Sequence, residues 1–465
     1  MLDATDCVEK MVATESGQHD QALTDVLPRF VSALNDQRIK WCLLRNYQSF
    51  PVPRSPTSDF DFIVDCEPRR AVDFIKSVAG PTVRVGMVVF RSGGAVISVF
   101  LSTPRSPSLR IDIMRSAVWA GHDLIDAEDL LEKRRTVNGI SVPAPGHEVA
   151  DSLMTYLFHS GKVKAEYRAS TQKCAEEDRS NFVSCLSAVW GKVEADQLSK
   201  KAASGDWEWL AAWVRGARKR LLWSHARNPV RALEAACLHV FNVARRLLRP
   251  PGLFVSMLGP DGAGKTTIGH AYLERMNTLY YKKNQHRCHW RPGVLPAPGV
   301  IVGKGSTQGD VTNPHSKSLH SPPVSFARFF YFVIDYVVGY WGGIRPRLAK
   351  GDLVLFDRYF DDFIVDRRRY RLDLPLSLIR LFGKVVVRPE LVFVLHAPAD
   401  ILHARKAELP VDEIARQTVA LKGVMAGKNG VRFVCVDRGV DAVVDELERL
   451  TIDYLDQRNR RWLNW

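Results

Sequence analysis

The stretch "MLGPDGAGKTTIGHAYLERM", residues 257–276, satisfies the pattern G-x-x-x-x-G-K-[ST] with Gly259, Gly264, Lys265 and Thr266 at the fixed positions. The apolar run "GLFVSML" precedes it, bounded by Pro250 and Pro251, and an amphipathic run follows. That order, strand then Gly-rich loop then helix, restricts this part of the chain to an α/β fold. Without Cβ atoms at Gly259, Gly262 and Gly264, the loop N–H groups of the Asp261–Ala263 region can approach an anion closely. The helix behind adds the positive end of its dipole. Lys265 would reach the β/γ-phosphates of ATP, Thr266 would complete the shell of a Mg²⁺, and Thr267 would follow in the first helical turn. A Gly-rich turn that merely caps a helix is the structural alternative; the flanking strand and helix weigh against it.

The remainder of the second half alternates in the same manner. Apolar runs "DLVLFD", "LVFVLHA" and "VRFVCVD" read as strands. Between them lie helical runs "FARFFYFVIDYVVGYW" and "ADILHARKAEL", and an irregular insertion is expected from about 283 to 323. Such alternation predicts a parallel sheet with helices on both faces and ligands at the carboxyl ends of the strands. "DLVLFD" therefore sets Asp357 just beyond a strand end, where a carboxylate holds Mg²⁺ through water or orients an acceptor, and Arg358 beside it pairs with an anionic acceptor. Arg367, Arg368 and Arg369 follow ten residues on, and an Arg-rich lid there would deliver positive charge to a transferring phosphoryl group. A solvated charge run paired with Asp361, Asp362 and Asp366 is the alternative.

"GPDGAGKTT" followed by "DRY" after an apolar strand resembles thymidylate kinase and its relatives over roughly residues 252–460. The resemblance implies that Lys265 and Thr266 serve ATP and Mg²⁺ and that Asp357 and Arg358 serve acceptor and metal. Gly262 stands where some members carry an Arg, so the lid arginines would be the catalytic ones. "HWRPGVLP" is similar to an Arg-Pro-Gly turn facing the acceptor, which would make Arg291 a substrate ligand. The residues after "DRY" depart from the family's thymine-seating pattern. The chain also resembles proteins of bacterial surface-polysaccharide gene clusters, which implies a sugar or glycan acceptor.

The first half has a different grammar. "IKWCLLRN", "DFDFIVD", "TVRVGMVVF", "AVISVFL" and "LRIDIMR" are short strand-like runs separated by Pro, Gly and Ser, expected to form a meander covered by helices on one face. Period-two alternation turns Asp59 and Asp61 to one side and Phe60 and Phe62 to the other; Asp112 sits likewise between Ile111 and Ile113. Three such carboxylates would hold Mg²⁺ for attack on a nucleotide α-phosphate. This resembles nucleotidyltransferases related to DNA polymerase beta. Thr57-Ser58 stands where those enzymes carry Gly-Ser at the triphosphate turn. Active transferase, binding-only homologue and coincidental acidic strand all stay open.

At 465 residues the chain exceeds one ordinary core. The expected organisation is a nucleotidyltransferase-like α/β domain over 1–145, an associated helical segment over 146–249 and a P-loop kinase-like domain over 250–465. No run of about 18 uncharged apolar residues exists, and the N-terminus lacks the apolar core of a secretory signal. Eight cysteines without C-x-x-C spacing argue for reduced thiols and a cytoplasmic setting. The net charge of +14 fits nucleic acid, an anionic membrane surface or a polyanionic substrate, and by itself chooses none of them. A kinase with a small-molecule acceptor leads. A nucleic-acid end-processing protein and a regulatory nucleotide binder are the alternatives, though no aromatic-and-basic stacking platform is recognisable.

Overall fold

The computed structural model describes residues 21–55, 58–91, 96–103, 108–227, 229–296 and 318–463. The Thr57 position and most of the insertion, residues 297–317, lie outside them. Two compact units are present: residues 1–244 with 459–465, and residues 245–458. The final helix, Val440–Leu463, begins in the second unit and ends in the first. Asn459 Nδ2 donates to the Val85 and Gly86 carbonyls at 2.9 and 3.0 Å, at the point where an irregularity in the strand register leaves them open. Nothing local in the sequence announces that pairing.

The first unit holds a five-stranded mixed sheet of β1 (Trp41–Leu43), β2 (Asp59–Val64), β3 (Arg84–Arg91), β4 (Val96–Ser102) and β5 (Leu109–Met114), in the order β1-β2-β5-β4-β3. β3, β4 and β5 form the expected antiparallel meander, whereas β2 and β5 run parallel. Helices α1 (Val26–Asp36) and α2 (Pro68–Val78) supply Phe30 and Ile75 to a core with Phe60, Phe62, Ile111 and Ile113. The opposite side is covered as well. Cys42 and Ile63 pack with Val149 and Leu153 of α3 (Pro145–Ser160), the first helix of the helical segment. Helices therefore bear on both faces of the sheet rather than one.

The second unit is a mixed α/β fold around a five-stranded parallel sheet. Its strands are β6 (Leu253–Leu258), β7 (Gln285–Cys288), β8 (Leu353–Asp357), β9 (Leu391–His396) and β10 (Val431–Cys435), ordered β7-β8-β6-β9-β10. β6 and β8 are buried at every position, as strands covered on both faces must be. β7 lies where the sequence predicts irregular chain; its residues are polar and half-buried, so period and composition hide it. The edge it occupies explains why it tolerates them. Helix α4 (Lys265–Arg275) follows β6, and α5 (Pro322–Gly339) contributes Phe329, Phe332 and Tyr336 to an aromatic core with Phe360 and Phe363. Among the described residues no helix is long and apolar enough to cross a membrane, and the seven described cysteines are all free thiols.

Candidate functional site

The loop between β6 and α4 closes on itself through Lys265, whose Nζ donates to the Gly259 and Pro260 carbonyls at 2.8 and 2.7 Å. Gly262 and Gly264 have φ of +84° and +72°, and a Cβ on Gly262 would stand 2.3 Å from the Leu402 carbonyl oxygen. Both left-handed geometry and close packing therefore demand glycine there. Ala263 is fully buried beneath the loop, while Thr266 and Thr267 are exposed at its mouth. Burial, and next to it the Arg358 guanidinium, pulls the Lys265 ammonium from its ordinary 10.5 down to about 7.

β8 pairs directly with β6, Asp357 opposite Met257, and so delivers "DRY" beside the loop. Asp357 Oδ2 accepts from Arg287 of β7, and Arg287 Nη1 meets His270 Nε2 at 2.5 Å. Asp357 Oδ1 is buried without a hydrogen-bond partner, and lies 3.4 Å from where a Gly269 methyl would be. An orphaned carboxylate oxygen beside the Thr266 turn suits Mg²⁺ held through water.

Arg358 adopts φ +81°, a strained conformation for a non-glycine residue. Three contacts hold it there. Its N–H donates to the Met257 carbonyl, Nη1 reaches Asp362 Oδ2 at 2.9 Å, and Nη2 reaches Asp261 Oδ1 at 2.5 Å. Tyr370 Oη donates to the same Asp362 oxygen at 2.6 Å. Arg369 Nη1 takes the other oxygen of Asp261 at 2.8 Å. Burial opposes ionisation of Asp261, but Arg358, Lys265 and Arg369 together hold its carboxyl well below the usual carboxylate range.

Asp261, Lys265, Asp357, Arg358 and Arg369 line a half-open cavity of about 450 Å³ with Gly262, Gly264, Thr266, Thr267, His289, Arg405 and Lys406. Of the three expected lid arginines only Arg369 faces it. Arg367 and Arg368 are exposed, Arg367 donating to the Leu374 carbonyl at 2.9 Å. The chain turns here, with Arg371 at φ +57°, so consecutive side chains fan apart. Arg291 is also elsewhere: Nη1 donates to Asp335 Oδ2 at 2.9 Å and to the Leu295 carbonyl at 3.0 Å. Fully buried Asp335 also accepts from the Gly293 and Leu295 N–H groups at 3.0 and 2.7 Å, so Arg291 anchors the Arg-Pro-Gly turn to α5. Sequence reasoning missed His289, Arg405 and Lys406. The last two sit at the end of α6 (Ala399–Arg405), after the strand next to β6, a position where basic residues facing the loop could have been sought.

In the first unit Asp59, Asp61 and Asp112 converge, one oxygen from each lying within 4.8 Å of the others. Asp61 and Asp112 are register partners across β2 and β5. They are buried rather than on an open face, at 8% and 4% exposure. Burial, then the neighbouring Asp59 charge, pushes the Asp61 carboxyl up to about 7. Arginines surround the three: Arg110 contacts Asp112 and Asp59, Arg91 lies 3.9 Å from Asp112, and Arg45 lies 3.8 Å from Asp61.

No family model matches the chain. A probable thymidylate kinase of Methanosarcina barkeri is 24% identical over 218 residues, covering 44% of this chain and 98% of that protein. The thymidylate kinase of Thermomicrobium roseum is 25% identical over 221 residues, covering 45% of this chain and 98% of its own. Among solved structures, thymidylate kinase from Ehrlichia chaffeensis aligns at 20% identity and a TM-score of 0.31, over 43% of this chain and 99% of that one. Over about 45% of its length, then, the chain is thymidylate kinase-like.

Proposed function

We propose that the second unit transfers the γ-phosphoryl group of ATP to a small, hydroxylated and anionic acceptor, nucleotide-like or sugar-like. The observation that carries this reading is the make-up of the cavity. Lys265, Arg358, Arg369, Arg405 and Lys406 line it, with only Asp261 and Asp357 opposed and, among the described residues, no aromatic ring but His289. Such a wall suits phosphates and hydroxyls better than a planar base. The residues after "DRY" that would seat a base, Phe360, Phe363 and Val365, are committed to the core.

In the reaction Lys265 exchanges its two loop carbonyls for the β/γ-phosphate oxygens, and the loop N–H groups hold the rest of the chain of phosphates. Thr266 and Asp357 would hold Mg²⁺, which neutralises charge on the β- and γ-oxygens when bound. Arg358, locked by Asp261 and Asp362, presents a fixed positive edge to the acceptor. Arg369, Arg405 and Lys406 surround the equatorial oxygens as the acceptor oxygen bonds to phosphorus and the bond from phosphorus to the β–γ bridging oxygen breaks, releasing ADP. An acceptor hydroxyl gives its proton up late, to an oxygen of the transferred phosphoryl group or to water, so no strong base is required, and Asp261 serves to hold Arg358 and Arg369 in place.

The test is ATP turnover by the purified chain against nucleoside monophosphates, free sugars, sugar phosphates and oligonucleotides. Stimulation by a sugar or sugar phosphate, with thymidylate poor, is expected. Thymidylate rates equal to those of a dedicated nucleotide kinase overturn the acceptor assignment. Tight ATP binding with no turnover on any acceptor makes the unit a nucleotide-binding regulator instead.

A further inference from the structure

We infer that the Arg110 guanidinium occupies the place a divalent cation would need among Asp59, Asp61 and Asp112, so that the triad takes an organic cation in place of a metal and supports no metal-dependent nucleotidyl transfer. The inference concerns the first unit alone and is independent of the kinase reading.

Strand register puts Arg110 there. Asp59 pairs with Arg110 and Asp61 with Asp112 across β2 and β5, and Arg110 and Asp112, two apart, face the same side. The guanidinium cannot turn to the other face without a slip of the whole strand. It makes a two-pronged contact with Asp112, Nε to Oδ1 at 3.0 Å and Nη2 to Oδ2 at 2.6 Å, and Nη1 stands 3.3 Å from Asp59 Oδ2. Phe100, its register partner on β4, carries the guanidinium 5.4 Å from its ring centroid.

Both oxygens of Asp112 thereby accept from Arg110, on the side that faces Asp59. Mg²⁺ requires about six oxygens at ~2.0–2.1 Å in near-octahedral order and gives up its water reluctantly. Arg91 and Arg110 lie against Asp112 and Asp59, and Arg45 is shared between Asp61 and buried Asp151, 3.6 Å away, so three guanidiniums already offset most of the carboxylate charge. A divalent ion would add two positive charges to a mostly buried cluster that already holds three, or would have to expel a guanidinium that has 14% exposure. An in-line attack on an α-phosphate needs metal on both the attacking and leaving oxygens, and the carboxylates that would supply it are committed.

The decisive measurement is Mn²⁺ titration of the full-length, nucleotide-free chain followed by electron paramagnetic resonance. In the wild type no Mn²⁺ site that disappears with Asp61→Asn is expected. In Arg110→Met such a site should appear, at least ~10-fold tighter than any in the wild type, and vanish when Asp61→Asn is added. A wild-type site removed by Asp61→Asn overturns the inference, as does a folded Arg110→Met that gains none. A second measurement does not depend on that variant folding. In a cluster held by arginines Asp112→Asn takes the two-pronged partner from Arg110, leaving it Asp59 alone at 3.3 Å, and should lower the unfolding midpoint by about 5 °C or more. In an empty metal site the same change relieves repulsion between carboxylates and raises the midpoint. A rise overturns the inference.

Discussion

Arg358 Nη2 lies 2.5 Å from Asp261 Oδ1, joining the end of β8 to the phosphate-binding loop across 97 residues of chain. Both partners are buried, and the other prong of Arg358 is on Asp362. Removing the guanidinium with Arg358→Met takes the shared cation from two buried carboxylates, leaving Asp261 to Arg369 and Asp362 to Tyr370, and should cost about 3 kcal/mol in urea unfolding of the second unit. A loss under ~1 kcal/mol would place the pair with ordinary surface bridges.

Lys265→Ala should abolish transfer while the circular-dichroism spectrum stays that of the wild type. The side chain donates to two loop carbonyls and lies 3.8 Å from Asp261, which keeps Arg358 and Arg369 as partners, and one electrostatic contact to the transferring group is worth on the order of 10²-fold in rate or more. Turnover within a few-fold of wild type would remove Lys265 from the chemistry.

Lys265 also predicts a pH dependence. Its folded value of about 7 lies below the ordinary 10.5, so between those values the unfolded chain binds more protons than the folded one. The burial penalty is complete below the folded value and fades as pH rises toward the unfolded one, so this group's contribution to stability improves over that window. Nucleotide phosphate favours the charged amine, and binding therefore takes up a proton in the same window. ATP affinity should fall as pH rises above ~7, and calorimetry at pH 8.5 in buffers of different ionisation enthalpy should show net uptake. Zero uptake in the wild type, or equal uptake in Lys265→Ala, would assign the titration elsewhere.

Arg369→Ala and Arg368→Ala separate the cavity from its surroundings. Arg369 contacts Asp261 inside the cavity and Arg368 is exposed outside it. Arg369→Ala should lower kcat by roughly 10-fold or more with a smaller change in ATP affinity, and Arg368→Ala should leave both near wild type. The reverse order would mean that the turn around Arg371 rearranges when substrate binds.

Period and punctuation made much of this molecule legible. The Gly-rich loop could be placed because its glycines, its lysine and the buried strand before it are all local, and four of the five strands of the second sheet are predominantly apolar. Asp59, Asp61 and Asp112 could be set on one side because β alternation is a two-residue rule. Strand β7 escaped because an edge strand with polar residues carries neither signal.

What the chain could not announce is which charges meet. Arg367, Arg368 and Arg369 are equivalent in sequence, and a single turn sends one of them inward. Arg291 reads as a ligand until Asp335, 44 residues away, is found beneath it. Arg110 reads as an unremarkable strand residue until register places it among three carboxylates. A charge's role depends on the sign and distance of its neighbours through space, and those are decided by sheet order and register. The sequence alone determined which segments are strands, loop and helix; tertiary packing decided which cations face the phosphate cavity and which neutralise buried acids, because Coulomb energy depends on separation in space and not along the chain.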